Sequence, residues 1–130
     1  MSAFDMLRIA SSSLGMHQTW LDALANNIAN INTVRPMSGK AFQAQMVDAQ
    51  ARPDGGVDVA AIVYGDPNGR VTYSPDNPLA DANGYVRLPD IDMGSQMSQL
   101  VMAQRGFQAQ VQVTKTAQDT YSSALQIGRS

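Results

Sequence analysis

From Ala3 to about Asn30 the chain holds no proline, and its apolar residues recur at helical spacing. Leu7, Leu14, Leu21 and Ile28 lie seven apart, and Ala10, Leu24 and Ile31 fill the positions three residues later, with His17 in the remaining place. Such a heptad stripe predicts a helix with one continuous packing seam. A second proline-free run, from about Met93 to Ile127, has one row of Met93, Leu100, Phe107, Thr114 and Tyr121 and another of Met97, Gln104, Val111, Gln118 and Leu125. Asp90 or Asp92 suits its N-cap, and Gly128 stands where a C-cap glycine is expected.

The stretch between them follows another pattern. Thr33 to Asp90 contains all 6 prolines and most of the glycines, which break helices and punctuate turns. Short strands are expected at Phe42–Val47, Val57–Tyr64, Arg70–Tyr73 and Tyr85–Leu88. Asp66-Pro67-Asn68-Gly69 is a turn, because proline presets the backbone angle and Asn-Gly tolerates positive φ. The expected fold is therefore mainly α with a small β element. Its segments are an N-terminal helix within 1–33, a loop-rich β segment at 34–90 and a C-terminal helix within 91–130. At 1.5 Å per residue the last helix is roughly 50 Å long. A compact chain of this size has a radius of gyration of only about 14 Å. The molecule is expected to be elongated, with its terminal helices paired as a coiled coil or packed on other chains.

Leu7, Leu14, Leu21 and Leu24 on the first helix, and Met97, Leu100, Phe107, Val111, Tyr121 and Leu125 on the second, form the expected packing interface. Within one subunit, Leu7, Leu14, Leu21 and Ile28 are expected to face Leu100, Phe107, Val111 and Tyr121. Only 15% of the residues are charged, against about a quarter in typical soluble domains. Outside the seams both helices carry mostly Ser, Thr, Asn and Gln, which suits close packing because burying an amide costs far less than burying an ion. A helix relying on packing is marginal alone, so the terminal helices are expected to fray in an isolated monomer and order on assembly.

Charge and chemistry narrow the function. A net charge of −2 offers no basic field for phosphates, so nucleic-acid binding is not expected. No run of about 18 apolar residues exists for a membrane span, and Asp5 and Arg8 interrupt the stretch a cleavable signal would need. With no cysteine and one histidine, the common zinc and thiol chemistries lack ligands. Asp66-x-Asn68-Gly69 and Asp81-x-Asn83-Gly84 echo calcium loops, but the flanking ligand positions are wrong, and turn chemistry is preferred. Asp90-x-Asp92 reads as helix capping rather than an acid pair, and the chain has no glutamate. No catalytic residue, metal or cofactor is expected. Asn26, Asn27, Asn30 and Asn32 end the first helix. Two would suffice as a terminator, so four imply bonds to other elements.

Ala25-Asn26-Asn27-Ile28-Ala29-Asn30-Ile31-Asn32-Thr33 resembles the ANN-x-AN-x-NT signature of the bacterial flagellar axial proteins. Tyr73-Ser74-Pro75-Asp76-Asn77-Pro78, Asn83-Gly84-Tyr85-Val86 with Leu88-Pro89, and Ala103-Gln104-Arg105-Gly106-Phe107-Gln108-Ala109 resemble the proximal-rod members, as does Ala124-Leu125-Gln126-Ile127-Gly128-Arg129. The resemblance implies a structural subunit of the flagellar rod, the drive shaft crossing the periplasm. It further implies paired terminal helices stacking into a tube, with Ala25, Asn26, Asn27, Ile28, Ala29, Asn30, Asn32 and Thr33 as the assembly motif. The implied partners are other rod proteins, copies of itself and the flagellar type III export apparatus, with export without a cleaved signal and no direct membrane insertion. Two departures stand out. Arg35-Pro36-Met37-Ser38-Gly39-Lys40-Ala41-Phe42 replaces the usual Gly-Pro-Tyr-basic segment, and Gln96-Met97 stands where an acidic residue usually precedes Met. A helical interaction protein of a secretion apparatus would leave the Gly-Tyr-Val block unexplained. A cell-wall-acting enzyme would need a positioned acid pair.

Overall fold

The computed structural model describes residues 2–129; Met1 and Ser130, at the outer bounds of the expected terminal segments, lie outside the described residues. Helix α1 spans Ala3–Ala29. Ser2 caps it through a reciprocal box: Asp5 N–H donates to Ser2 Oγ at 3.1 Å and Ser2 N–H donates to Asp5 Oδ2 at 3.1 Å. Strands β1 (Gln45–Ala51) and β2 (Val57–Tyr64) form one antiparallel hairpin, and β3 (Arg70–Tyr73) and β4 (Tyr85–Leu88) a second. Helix α2 spans Met93–Gly128. The fold is mainly helical with a small β middle.

Three strands match the expected bounds. β1 does not: it begins at Gln45 rather than Phe42 and continues to Ala51. Before Gln45 the backbone is occupied elsewhere, since Ala41 N–H donates to the Pro67 carbonyl and Gly65 N–H to the Ala44 carbonyl. Beyond Val47 the strand is extended by its partner, with Ala51 opposite Val57 and a register shift between Asp48 and Ala49. The hairpin tip turns on Gly55 and Gly56, both at positive φ. It docks on α1, where Arg8 donates to Asp54 Oδ2 at 3.1 Å and Val57 N–H donates to Ser12 Oγ at 3.1 Å.

The Asp66–Gly69 turn links the two hairpins instead of closing one. Gly69 has φ 59°, and a side chain there would collide with the Leu88 carbonyl and Ala41. Ala41, Val86, Pro89 and Ile91 are buried on this side of the molecule.

Asp92 caps α2 by accepting from Ser95 N–H at 2.8 Å. At the other end Gly128 is still helical, and Arg129 is the cap. The expected glycine terminator is thus displaced by one residue, because Gly128 does not adopt the positive φ that a left-handed cap requires.

The two helices pack antiparallel, with a correction to the expected seam. Leu7, Leu14, Leu21 and Ile28 are half-buried, and Ala10 and Leu24 are buried. On α2, Leu100 and Phe107 are half-buried, but the second row turned inward is Gln96, Ala103, Gln110 and Ala117, its alanines buried and its glutamines half-buried. That row lies one residue before the Met97–Val111–Leu125 row expected from apolar size. Met97, Val111, Tyr121 and Leu125 are 45%, 46%, 40% and 52% exposed, so Val111 and Tyr121 do not fill the seam against α1. Alanine wins these positions because a small side chain lets the helix backbones approach and be covered completely.

Candidate functional site

Asn27 is the one buried polar residue among those described, at 1% exposure. It sits three residues after Leu24, on the stripe that α1 turns toward both β1 and α2. Its carboxamide NH2 donates to the Gln45 carbonyl at 2.9 Å and to Gln96 Oε1 at 3.0 Å. Its Oδ1 accepts from Gln45 N–H at 2.8 Å. One side chain therefore joins α1, the first residue of β1 and the first turn of α2. The job needs two donors and an acceptor on one short planar group, which only an amide supplies. Buried amides carry their cost only when satisfied in this way.

The other asparagines work locally. Asn30 Nδ2 donates to the Asn26 carbonyl at 2.9 Å and to Asn26 Oδ1 at 3.2 Å, and Thr33 Oγ1 donates to Asn30 Oδ1 at 3.2 Å. These bonds close the C-terminal end of α1 and turn the chain toward the β segment. Ile28 is half-buried, whereas Ala25, Ala29 and Asn32 are exposed. Of four asparagines expected to reach outward, one bonds across elements and two cap.

His17 occupies the polar place in the heptad stripe. Its Nδ1 lies 2.8 Å from the Ser13 carbonyl, and its ring packs against the α-carbon of Gly106 on α2. The aspartates of the two calcium-loop-like segments serve their own turns, and of the Asp90/Asp92 pair it is Asp92 that caps α2. Asp66 Oδ1 accepts from Asn68 N–H at 2.8 Å, and Asp81 Oδ1 accepts from Asn83 and Tyr85 N–H at 3.0 and 2.9 Å. Asp5 is held below the usual carboxylate range, chiefly by the Ser2 backbone hydrogen bond and then by the Ser2 hydroxyl.

The arrangement joins elements and presents surface. Met93, Met97 and Val101 lie along the outer side of α2, followed by Val111 and Leu125, all substantially exposed. Exposed apolar residues at helical spacing, flanked by uncharged polar ones, make a surface suited to another protein.

Two family models match, and they fall on the two helical ends. The model described as flagella basal body rod protein matches residues 7–36, and that of the flagellar basal body rod FlgEFG protein C-terminal matches residues 82–127. The flagellar basal-body rod protein FlgC of Salmonella typhimurium is 32% identical, over 99% of this chain and 100% of its own. The chain belongs to the FlgC family of flagellar basal-body rod proteins. FlgC of Yersinia enterocolitica is 36% identical, and FlgC of Bacillus subtilis 27%, each over 99% of this chain and 100% of the relative.

Membership places the asparagine motif within the segment matched at the N-terminal end and Gln96 within that at the C-terminal end. Gln96, noted in the sequence only as a departure from an acidic residue, accepts from Asn27. An amide oxygen and a carboxylate oxygen serve equally as that acceptor, so the departure leaves the joint intact. Gln45 and Trp20 were not singled out. A glutamine whose backbone forms the contact leaves no trace in side-chain pattern, and a lone tryptophan on a helix reads as ordinary core.

Proposed function

We propose that this chain is a structural subunit of the proximal rod of the flagellar basal body, polymerising through its terminal helices to build the shaft that transmits motor torque. The carrying observation is the end-to-end correspondence with rod subunits, over 99% of the chain. The geometry supports this reading: α1 and α2 form a pair locked at one end by Asn27, and α2 presents exposed apolar residues outward. On this reading segments 1–33 and 91–130 are the axial core, 34–90 is the small β segment, and Ala25 to Thr33 form the assembly motif. Met97, Val111, Tyr121 and Leu125 meet neighbouring subunits rather than α1. The neighbours are other rod proteins and copies of this chain. Export runs through the flagellar type III apparatus without a cleaved signal, and the rod's place is the periplasm. The chain works by packing: Asp5 and Asp92 cap its helices, and Asp66 and Asp81 hold its turns.

Electron microscopy of purified basal bodies carrying a labelled form of this subunit tests the reading. Label on the rod is the expected result. Label elsewhere, or complete rods in cells lacking the chain, would overturn it.

A further inference from the structure

A cleft of about 580 Å³ opens where α1, β1 and the first turn of α2 meet. Its apolar wall includes Trp20, Leu24, Met46, Val47 and Ile91, and Asp66, Asp90 and Asp92 bring three carboxylates to it. Among the described residues, no lysine or arginine lines it. The same three elements are held together by Asn27, so the cleft is a fixed feature of the joint.

At the far end of the molecule α2 outlasts α1. Asn27 meets Gln96 and His17 meets Gly106 in a single antiparallel register. Continued along the helices, that register brings Thr120 level with Ala3, the first residue of α1. The turns from Tyr121 onward extend past it. Tyr121 and Leu125, four residues apart and hence on one face, are exposed there. Arg129 is the only charged residue from Thr120 to Arg129. Cleft and helix end lie roughly 45 Å apart along a straight helix. They cannot meet within one subunit.

We infer that the cleft is the socket for the C-terminal helix end of a second copy of this chain, an amphipathic helix whose last turns are uncharged up to the closing cation Arg129. The inference rests on the rod reading and deepens it. Apolar side chains one turn apart cover Trp20 and the exposed Met46, while the terminal guanidinium meets the carboxylates of the rim. Because socket and plug are different surfaces at opposite ends, the contact is heterologous. Such contacts propagate as open filaments instead of closing into dimers.

Trp20 is the only tryptophan of the chain, so the cleft carries its own reporter. The probe is a peptide of residues 113–130, stapled into a helix on its polar face and titrated into the full chain. The expected result is a saturable blue shift of Trp20 emission. Affinity should fall at least tenfold when the peptide carries Arg129→Glu, and likewise when the chain carries Asp66→Asn with Asp90→Asn. Asparagine at 66 can still accept from Asn68 N–H, so the turn survives. No saturable shift, or a shift indifferent to both charge changes, would overturn the socket. Either failure would leave label on the rod untouched, whereas label off the rod would remove the wider reading whatever the peptide does.

Discussion

The imidazole of His17 lies against Gly106, so closely that a β-carbon on that glycine would sit 2.6 Å from His17 Cδ2. The polar residue in the α1 stripe thus faces a glycine in the middle of α2, where no side chain intervenes. A ring set over a bare backbone fixes how far one helix can slide along the other. Shifting α2 by one residue would drive Arg105 or Phe107 into the ring.

Gly106→Ala should therefore destabilise the chain by about 1–3 kcal/mol through overpacking, although alanine is the better helix former. His17→Ala in the same chain should restore much of that loss. Urea unfolding of the two single variants and the double variant measures the coupling. Additive losses would show that the two residues do not press on each other.

Asn27→Ala removes three hydrogen bonds and strands the Gln45 backbone and the Gln96 amide. The cost should be roughly 2–4 kcal/mol. Asn27→Asp keeps the shape but replaces the donor with a carboxylate facing two oxygens. Burial and that repulsion raise its folded pKa above the unfolded value. The destabilisation should be largest at neutral pH and shrink as pH falls through the raised pKa. Thermal unfolding of the Asp variant, run from pH 7 down to pH 5, should show recovery relative to the unsubstituted chain.

Asp5 behaves oppositely. Its carboxyl is held low by the Ser2 backbone and hydroxyl, so its contribution is complete above the ordinary aspartate range and lost as pH falls through the depressed folded pKa. Carboxyl-carbon NMR titration should place Asp5 below an ordinary aspartate, and Ser2→Gly, which removes the hydroxyl alone, should bring it part of the way back. The first turn of α1 should fray in the same acid window.

Protection along α2 should be graded. Ala103 and Ala117 are buried and Gln118 to Arg129 are exposed, so amide exchange in the dilute monomer should be slowest near the Asn27 joint and fastest beyond Ala117. Assembly should slow that final segment most. Uniformly strong protection along α2 before assembly would show that its end needs no neighbour.

Both helices and the bounds of β2, β3 and β4 were legible because heptad spacing and Gly/Pro punctuation act locally. β1 was not, because its start is set by Asn27 and its end by β2, neither of which is a local property. The α2 seam slipped by one residue because ranking by apolar size favours Met97 and Val111 over Ala103 and Ala117. Small residues are invisible to that ranking, although they govern close helix approach. The asparagine cluster announced itself, but which asparagine crosses to other elements depends on the faces that β1 and α2 cover. Gln96 carried no signal beyond its departure from the family pattern.

The central claim is that this chain enters the rod as an α1–α2 pair whose register is fixed by Asn27 and His17. Electron cryo-microscopy of basal bodies, purified from cells in which this chain is the sole copy of its kind, measures that most directly. The expected map shows the two helices side by side in the rod wall, with Asn27 against Gln96 and His17 over Gly106. A rod complete without the chain, or one holding it with α1 and α2 apart, would contradict the claim.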